Sequence, residues 1–224
     1  MPPVIPQTPF IKSSKRVLEP YDRISEVLFG LIMVLTFTGS LSIAGGRDAV
    51  RTMLLGAIGC NLAWGIIDGV LYLMACLAEK SKALIILRTV RKAADPQKAQ
   101  QLLADELPPL VASVLQPAEL EDLRMRLAQL PEPPEKAQLS GREWRGAFAV
   151  CLLVFLTTFP VVVPFIFMKE AWWALRVSNL VAIAMLFLAG FGFGRITGRR
   201  PWVTGVGMVV VGGLMVGLTV MLGG

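Results

Sequence analysis

The sequence predicts an all-α, polytopic membrane protein with five transmembrane helices and a short cytoplasmic helical insert between helices two and three. Three observations carry this expectation. Five apolar stretches, about 24–44, 52–77, 147–168, 174–194 and 203–221, each approach or exceed the roughly 20 residues a helix needs to cross a bilayer. The chain is 54% hydrophobic and only 17% charged, with mean hydropathy +0.63, too apolar for an ordinary soluble domain. Its cations are also divided unequally between the segments that join the stretches.

The organisation follows from those boundaries: a cytoplasmic tail over 1–22, transmembrane helices 1–2 over 23–77, the helical insert over 78–146, and transmembrane helices 3–5 over 147–222. About twenty polar and Pro-rich residues precede the first stretch, and no short apolar region ending in a small-residue cleavage site marks it as a signal peptide. Orientation comes from Lys and Arg. Eighteen lie in the tail with Arg23 just after it, the insert and the junction at Arg195, Arg199 and Arg200, against four (Arg47, Arg51, Lys169 and Arg176) in the other connections. The positive-inside rule then places the N-terminus in the cytoplasm and the C-terminus outside. Tyr21, Trp144, Trp172, Trp173 and Trp202 fall at the expected water–lipid boundaries, as interfacial aromatics do. Trp64 is the exception, inside the second span.

Within the insert, Glu79–Ala93 reads as an amphipathic continuation of span two, with Leu84, Ile85, Leu87 and Val90 at helical spacing. Asp95-Pro96 interrupts it, Gln97–Leu107 forms a second helix, and Pro108-Pro109 breaks the chain again. Pro117 suits a helical first turn, followed by Glu119, Glu121 and Asp122 near the positive helix end. That helix runs to about Leu130, where Pro131, Pro133 and Pro134 end it. The insert holds 11 cations and 10 anions in alternation, with no aromatic residue between Glu79 and Gly141, which argues against nucleic acid as a partner. There is no histidine, no phosphate-binding glycine loop and no nucleophile elbow, so an enzyme is not expected. Cys60, Cys76 and Cys151 lie in or beside apolar stretches and read as packing residues.

Polar groups inside apolar spans are where function is sought, because each is costly in hydrocarbon. Span two carries Asn61 and Asp68, seven residues or two turns apart, on one face and roughly 10 Å apart along the axis. Span one offers Glu26 at its start and Thr36, Thr38 and Ser40 further in, and these six residues form the expected substrate path. Hard divalent cations prefer oxygen ligands and ferrous iron also accepts thioether sulfur, so the expected metal ligands are Asp68, Glu26, Met33 and Met74, with Met53 a further source of sulfur. In span three, Pro160 and Pro164 remove intrahelical donors, and they are expected to break the helix and expose carbonyls. Gly65 and Gly69 around Asp68, and the glycines at 190–198 and 213–217, are spaced for close helix packing.

The first-span segment from Arg23 through Ser42, the second-span segment Gly56 through Gly69 and the Pro160/Pro164 segment together resemble the vacuolar iron transporter (VIT) family. The resemblance implies a dimeric carrier, joined through membrane helices, that moves ferrous iron or manganese out of the cytoplasm in exchange for protons. It also implies a prokaryotic-type integral protein of the inner membrane, with metal as cargo and no permanent cofactor. Glu26 would match the acidic entrance of the first span. The family's first-span aspartate falls near Met33 and its second-span glutamate near Ala63–Ile66, where this chain has no carboxylate. The glutamate- and methionine-rich run of the cytoplasmic helices is reduced to scattered acids: Glu79, Asp105, Glu106, Glu119, Glu121 and Asp122. A second class therefore stays open, a non-transporting membrane protein whose cytoplasmic helices bind a protein partner.

Overall fold

The computed structural model describes residues 18, 20–39 and 46–222. All the regular structure among them is helical: α1 (Pro20–Gly39), α2 (Gly46–Lys92), α3 (Pro96–Glu106), α4 (Pro109–Ala112), α5 (Pro117–Ala128), α6 (Gly141–Phe167), α7 (Ala171–Ile196) and α8 (Pro201–Met221). Two compact units result. One comprises the described residues up to Tyr72 with those from Arg142 onward, and the other is Leu73–Gly141, starting and ending a few residues earlier than the expected insert.

In the first unit, apolar side chains do two different things. Leu31, Val34, Ala57, Val161, Val162, Ala182 and Leu186 close a core between α1, α2, α6 and α7. Val203, Val206, Val210, Val211, Leu214, Met215 and Leu218 of α8 are instead all at least half exposed. Burying a side chain of this kind is worth about 1.5–3 kcal/mol, so a belt of this size is stable only where the surrounding solvent is itself hydrocarbon. Four helices are long and apolar enough to cross a membrane by length and composition among the described residues: those over Asp48–Lys92, Gly141–Phe167, Ala171–Ile196 and Pro201–Leu218. The 20-residue α1 is about 30 Å long, close to the hydrocarbon thickness. Its expected continuation to residue 44 lies outside the described residues.

The two prolines of α6 do not break it, contrary to the sequence expectation. α6 runs without interruption from Gly141 to Phe167 with Pro160 and Pro164 inside. Each removes one N–H; Pro164 is packed into the core while Pro160 is exposed, and a neighbour supports the turn between them. The Ser178 hydroxyl of α7 donates to the Val161 carbonyl at 2.7 Å, and the Met168 amide donates to the Pro164 carbonyl at 2.9 Å. Tertiary packing can hold proline inside a membrane helix where such partners exist.

Glycine sets the α7–α8 contact. A methyl group at Gly190 would lie 2.6 Å from the Thr204 carbonyl, and one at Gly205 would lie 2.6 Å from the Phe187 ring. The turn between the helices needs glycine for a separate reason. Gly198 has φ +69°, and the Arg199 amide donates to the Gly194 carbonyl at 2.9 Å, the six-to-one bond of a Schellman end.

The second unit has its own small core. Val90 of α2 and Ala99 and Leu103 of α3 are buried, with Ile86, Ala93, Leu120, Leu123 and Leu127 packed around them. The α2 face is therefore Ile86, Val90 and Ala93. Ile85, expected inside, is 61% exposed, because the run Leu84–Leu87 is apolar on every side and its periodicity does not fix a face. Asp95 caps α3 by accepting from the Gln97 amide at 2.9 Å, with Pro96 at the first helical position. Glu119 reaches back to the Gln116 amide at 2.8 Å at the start of α5. α5 ends at Ala128, two residues before the expected stop at Leu130. Its carbonyl end is capped by the Arg91 guanidinium, which donates to Leu127 at 3.1 Å, to Pro131 at 3.2 Å and to Leu130.

Candidate functional site

Asn61 fixes the register of three helices. Its side-chain amide donates to the Gly30 carbonyl of α1 at 3.2 Å and to the Thr158 hydroxyl of α6, and the whole side chain is buried. Small residues permit the approach. A methyl at Gly30 would sit 2.8 Å from the Val154 carbonyl and collide with the Thr157 hydroxyl. Further along α2, a methyl at Gly65 would sit 2.8 Å from the Cys151 carbonyl, and one at Gly69 would sit 3.0 Å from that of Ala147. As residue numbers rise on α2 they fall on α6, so the two helices are antiparallel.

α1 and α2 are antiparallel in the same way. Phe29 meets Trp64 edge to face with ring centroids 5.7 Å apart, one turn beyond the Gly30–Asn61 bond. Trp64 is thus held by packing on an aromatic neighbour. One turn further, Glu26 lies within electrostatic reach of Asp68 and also of Asp22 on its own helix. Measured from the Gly30–Asn61 contact, Asp68 is seven residues or roughly 10 Å along α2, and Glu26 is four residues or roughly 6 Å along α1 in the same direction.

This changes the site the sequence suggested. The structure places Glu26 within electrostatic reach of Asp68. Thr36 and Thr38 lie on the opposite side of the Asn61 contact, and each donates to its own helix, Thr36 to the Ile32 carbonyl at 3.0 Å and Thr38 to that of Leu35 at 3.1 Å. The expectation that Asp68 neighbours Thr36–Ser40 is corrected for Thr36 and Thr38, and Ser40 lies outside the described residues. The reason is direction. α1 and α2 run antiparallel, so Asp68, beyond the Asn61 contact on α2, faces the N-terminal turns of α1 and not the turns that carry Thr36 and Thr38. Met33 is partly buried on α1, whereas Met53 packs into a core with Phe165 and Ala174. Met74 is 61% exposed and, six residues beyond Asp68, sits about 120° round the helix from it. Pro160 and Pro164 lie within the continuous α6, Pro164 buried and Pro160 exposed, and they do not break it.

Two buried side-chain oxygens have no hydrogen-bond partner among the described residues: Asn61 Oδ1 and Asp68 Oδ2. Both lie on the α2 stripe that faces α1 and α6. A buried acceptor left unpaired costs about 1–3 kcal/mol, and more when charged. Sequence reasoning missed Thr158 as the partner of Asn61, although the pair Thr157-Thr158 in an apolar run was its visible signal. No group of three or more His, Cys, Asp or Glu side chains converges to hold a metal ion among the described residues.

A sequence profile of the VIT family matches residues 77–224. The chain belongs to the VIT family. VIT family proteins are transporters and not enzymes, which agrees with the absence of histidine and of any nucleophile motif. The matched region runs from the end of the α2 apolar stretch through α8, so Glu26, Asn61 and Asp68 precede it. No curated protein matches the chain.

Proposed function

We propose that this VIT family protein carries divalent metal cations, ferrous iron or manganese, out of the cytoplasm in exchange for protons. In this reading it is a homodimer of five-span subunits in a prokaryotic inner membrane, with the N-terminus inside and the C-terminus outside. The observation that supports it is that Glu26 of α1 lies within electrostatic reach of Asp68 of α2, whose Oδ2 is buried and without a hydrogen-bond partner. Two carboxylates match the charge of one divalent cation, and protonating either removes part of the attraction, which is the basis for proton exchange. Asn61 acts as a positioning residue that holds the two helices in register. Met33, where the resemblance implies an aspartate in other members, marks this chain as a divergent carrier that has moved its charge to Asp68.

Flux into reconstituted vesicles tests the proposal. Asp68→Asn and Glu26→Gln should each retain fold and dimer mass but lower manganese or ferrous iron flux at least about ten-fold, the equivalent of about 1.4 kcal/mol. Unchanged flux in a correctly folded D68N protein would remove Asp68 from the path. A second reading is favoured by one observation, the lack of any convergent three-residue metal cluster among the described residues. In it the protein does not transport, and the helices of 73–141 bind a protein partner. Absence of flux in the parent protein with every divalent ion tried selects that reading.

A further inference from the structure

Where α2 begins, α6 ends and α7 begins, the first unit holds a cavity of about 450 Å³. Its lining has two parts. Arg51 and Lys169 supply cations, and Val50, Leu54, Phe165 and Phe167 supply apolar walls. The acids nearest in sequence, Asp48 and Glu170, do not line it, and neither Arg51 nor Lys169 forms an ion pair among the described residues. Phe165 is buried at the base, while Phe167 is 80% exposed at the rim, so the apolar wall continues onto the lipid-facing surface. On α7, Arg176 stacks over Trp172 at 4.5 Å from the ring centroid, the amphipathic pairing of a membrane–water boundary.

We infer that this cavity is a binding site for an anionic phospholipid, with the headgroup phosphate held between Arg51 and Lys169 and an acyl chain laid along Leu54, Phe165 and Phe167. Charge complementarity selects the sign of the ligand, and the apolar wall opening onto hydrocarbon selects a lipid over a free anion. Basic pockets between transmembrane helices bind anionic headgroups by this combination on the cytoplasmic side of membranes, and the same charged and apolar complementarity is present here at the opposite helix ends. The site is separate from the Glu26–Asp68 pair and does not depend on transport.

Native mass spectrometry of the full chain in neutral micelles, titrated with short-chain phosphatidylglycerol, phosphatidylcholine or inorganic phosphate, tests the inference. Phosphatidylglycerol should bind more tightly than phosphatidylcholine. Loss of one cation should weaken it about five-fold and loss of both, in R51A/K169A, about 25-fold. R199A/R200A removes the same charge elsewhere and should leave binding unchanged. Ala171→Trp, which fills the cavity without altering charge, should also abolish the preference, and it serves if R51A/K169A fails to fold. Three results would overturn the site: unchanged phosphatidylglycerol binding in both R51A/K169A and A171W, an equal loss in R199A/R200A, or displacement of the lipid by inorganic phosphate at equal concentration.

Discussion

The Asn61 amide joins three helices through two donated bonds, and the energetic weight of that junction lies more in the space around it than in the bonds themselves. Interhelical hydrogen bonds in membranes average about 0.6 kcal/mol with a maximum near 1.7, because the separated helices find other partners. Thr158→Val, which keeps the shape and removes the acceptor, is therefore expected to cost about that much. Gly30→Ala is a different kind of change. The added methyl meets the Val154 carbonyl, which is backbone and cannot swing away, so α1 must shift off α6 at a cost of about 1–3 kcal/mol or more. Equilibrium unfolding in mixed micelles containing increasing denaturing detergent measures both. G30A proving no more harmful than T158V would mean that the helices can separate freely at this point.

At the scale of elements, the unit over 73–141 depends on a few directed interactions because its apolar core is small. Arg91 closes the carbonyl end of α5 from the neighbouring helix, and hydrogen bonds to a charged group contribute about 1.5–3 kcal/mol. Arg91→Ala should accordingly raise amide hydrogen exchange throughout α5 in the full chain. Arg126→Ala, which removes an exposed i,i+4 pair with Asp122, should change it little. Equal effects would deny Arg91 its capping role. Glu121 gives the α3–α5 contact a pH dependence. Its hydrogen bonds from Arg124 and then Gln100 hold its carboxyl down at about 2, from an ordinary value of 4.5. A depressed carboxylate contributes stability that is complete above its unfolded value and is lost as pH falls through the folded one. The α3–α5 contact should hold its protection down to about pH 4.5 and lose it progressively towards pH 2, and Glu121→Gln should flatten that profile. These elements were legible in the sequence where proline and capping residues punctuate it: Asp95-Pro96 and Pro117 start helices where expected. Arg91 was not legible. A cation in a balanced charge pattern reads as a solvated surface, and only the fold brings the end of α5 within its reach. The Glu26–Asp68 pairing was hidden for a related reason. Each acid could be singled out as costly in an apolar stretch, but which residues face each other depends on the register of two antiparallel helices, which the Asn61–Gly30 contact sets only in the fold.

At the scale of the whole molecule, the number of spans decides where every charged segment lies. α2, α6, α7 and α8 meet the length and composition needed for crossing, so the side occupied by 73–141 depends on whether α1 crosses as well. If it does, an N-terminus in the cytoplasm returns 73–141 to the cytoplasm and leaves the C-terminus outside. If α1 only dips into the membrane, the same N-terminus forces 73–141 outside, together with nine of the chain's cations, against the positive-inside rule. The two arrangements therefore differ at both reporters, and one labelling series separates them. On a background with Cys60, Cys76 and Cys151 replaced by Ala, Pro133→Cys should react with a membrane-impermeant maleimide only after cells are permeabilised. Leu222→Cys should react in intact cells, and a tag on the N-terminus should be reached only after permeabilisation. Labelling of P133C in intact cells would exclude the five-span arrangement. It would also put the Glu26 end of α1 and the Asp68 region of α2 in different relation to the cytoplasm, so a carrier that takes its metal from the cytoplasm through that pair would fall with it.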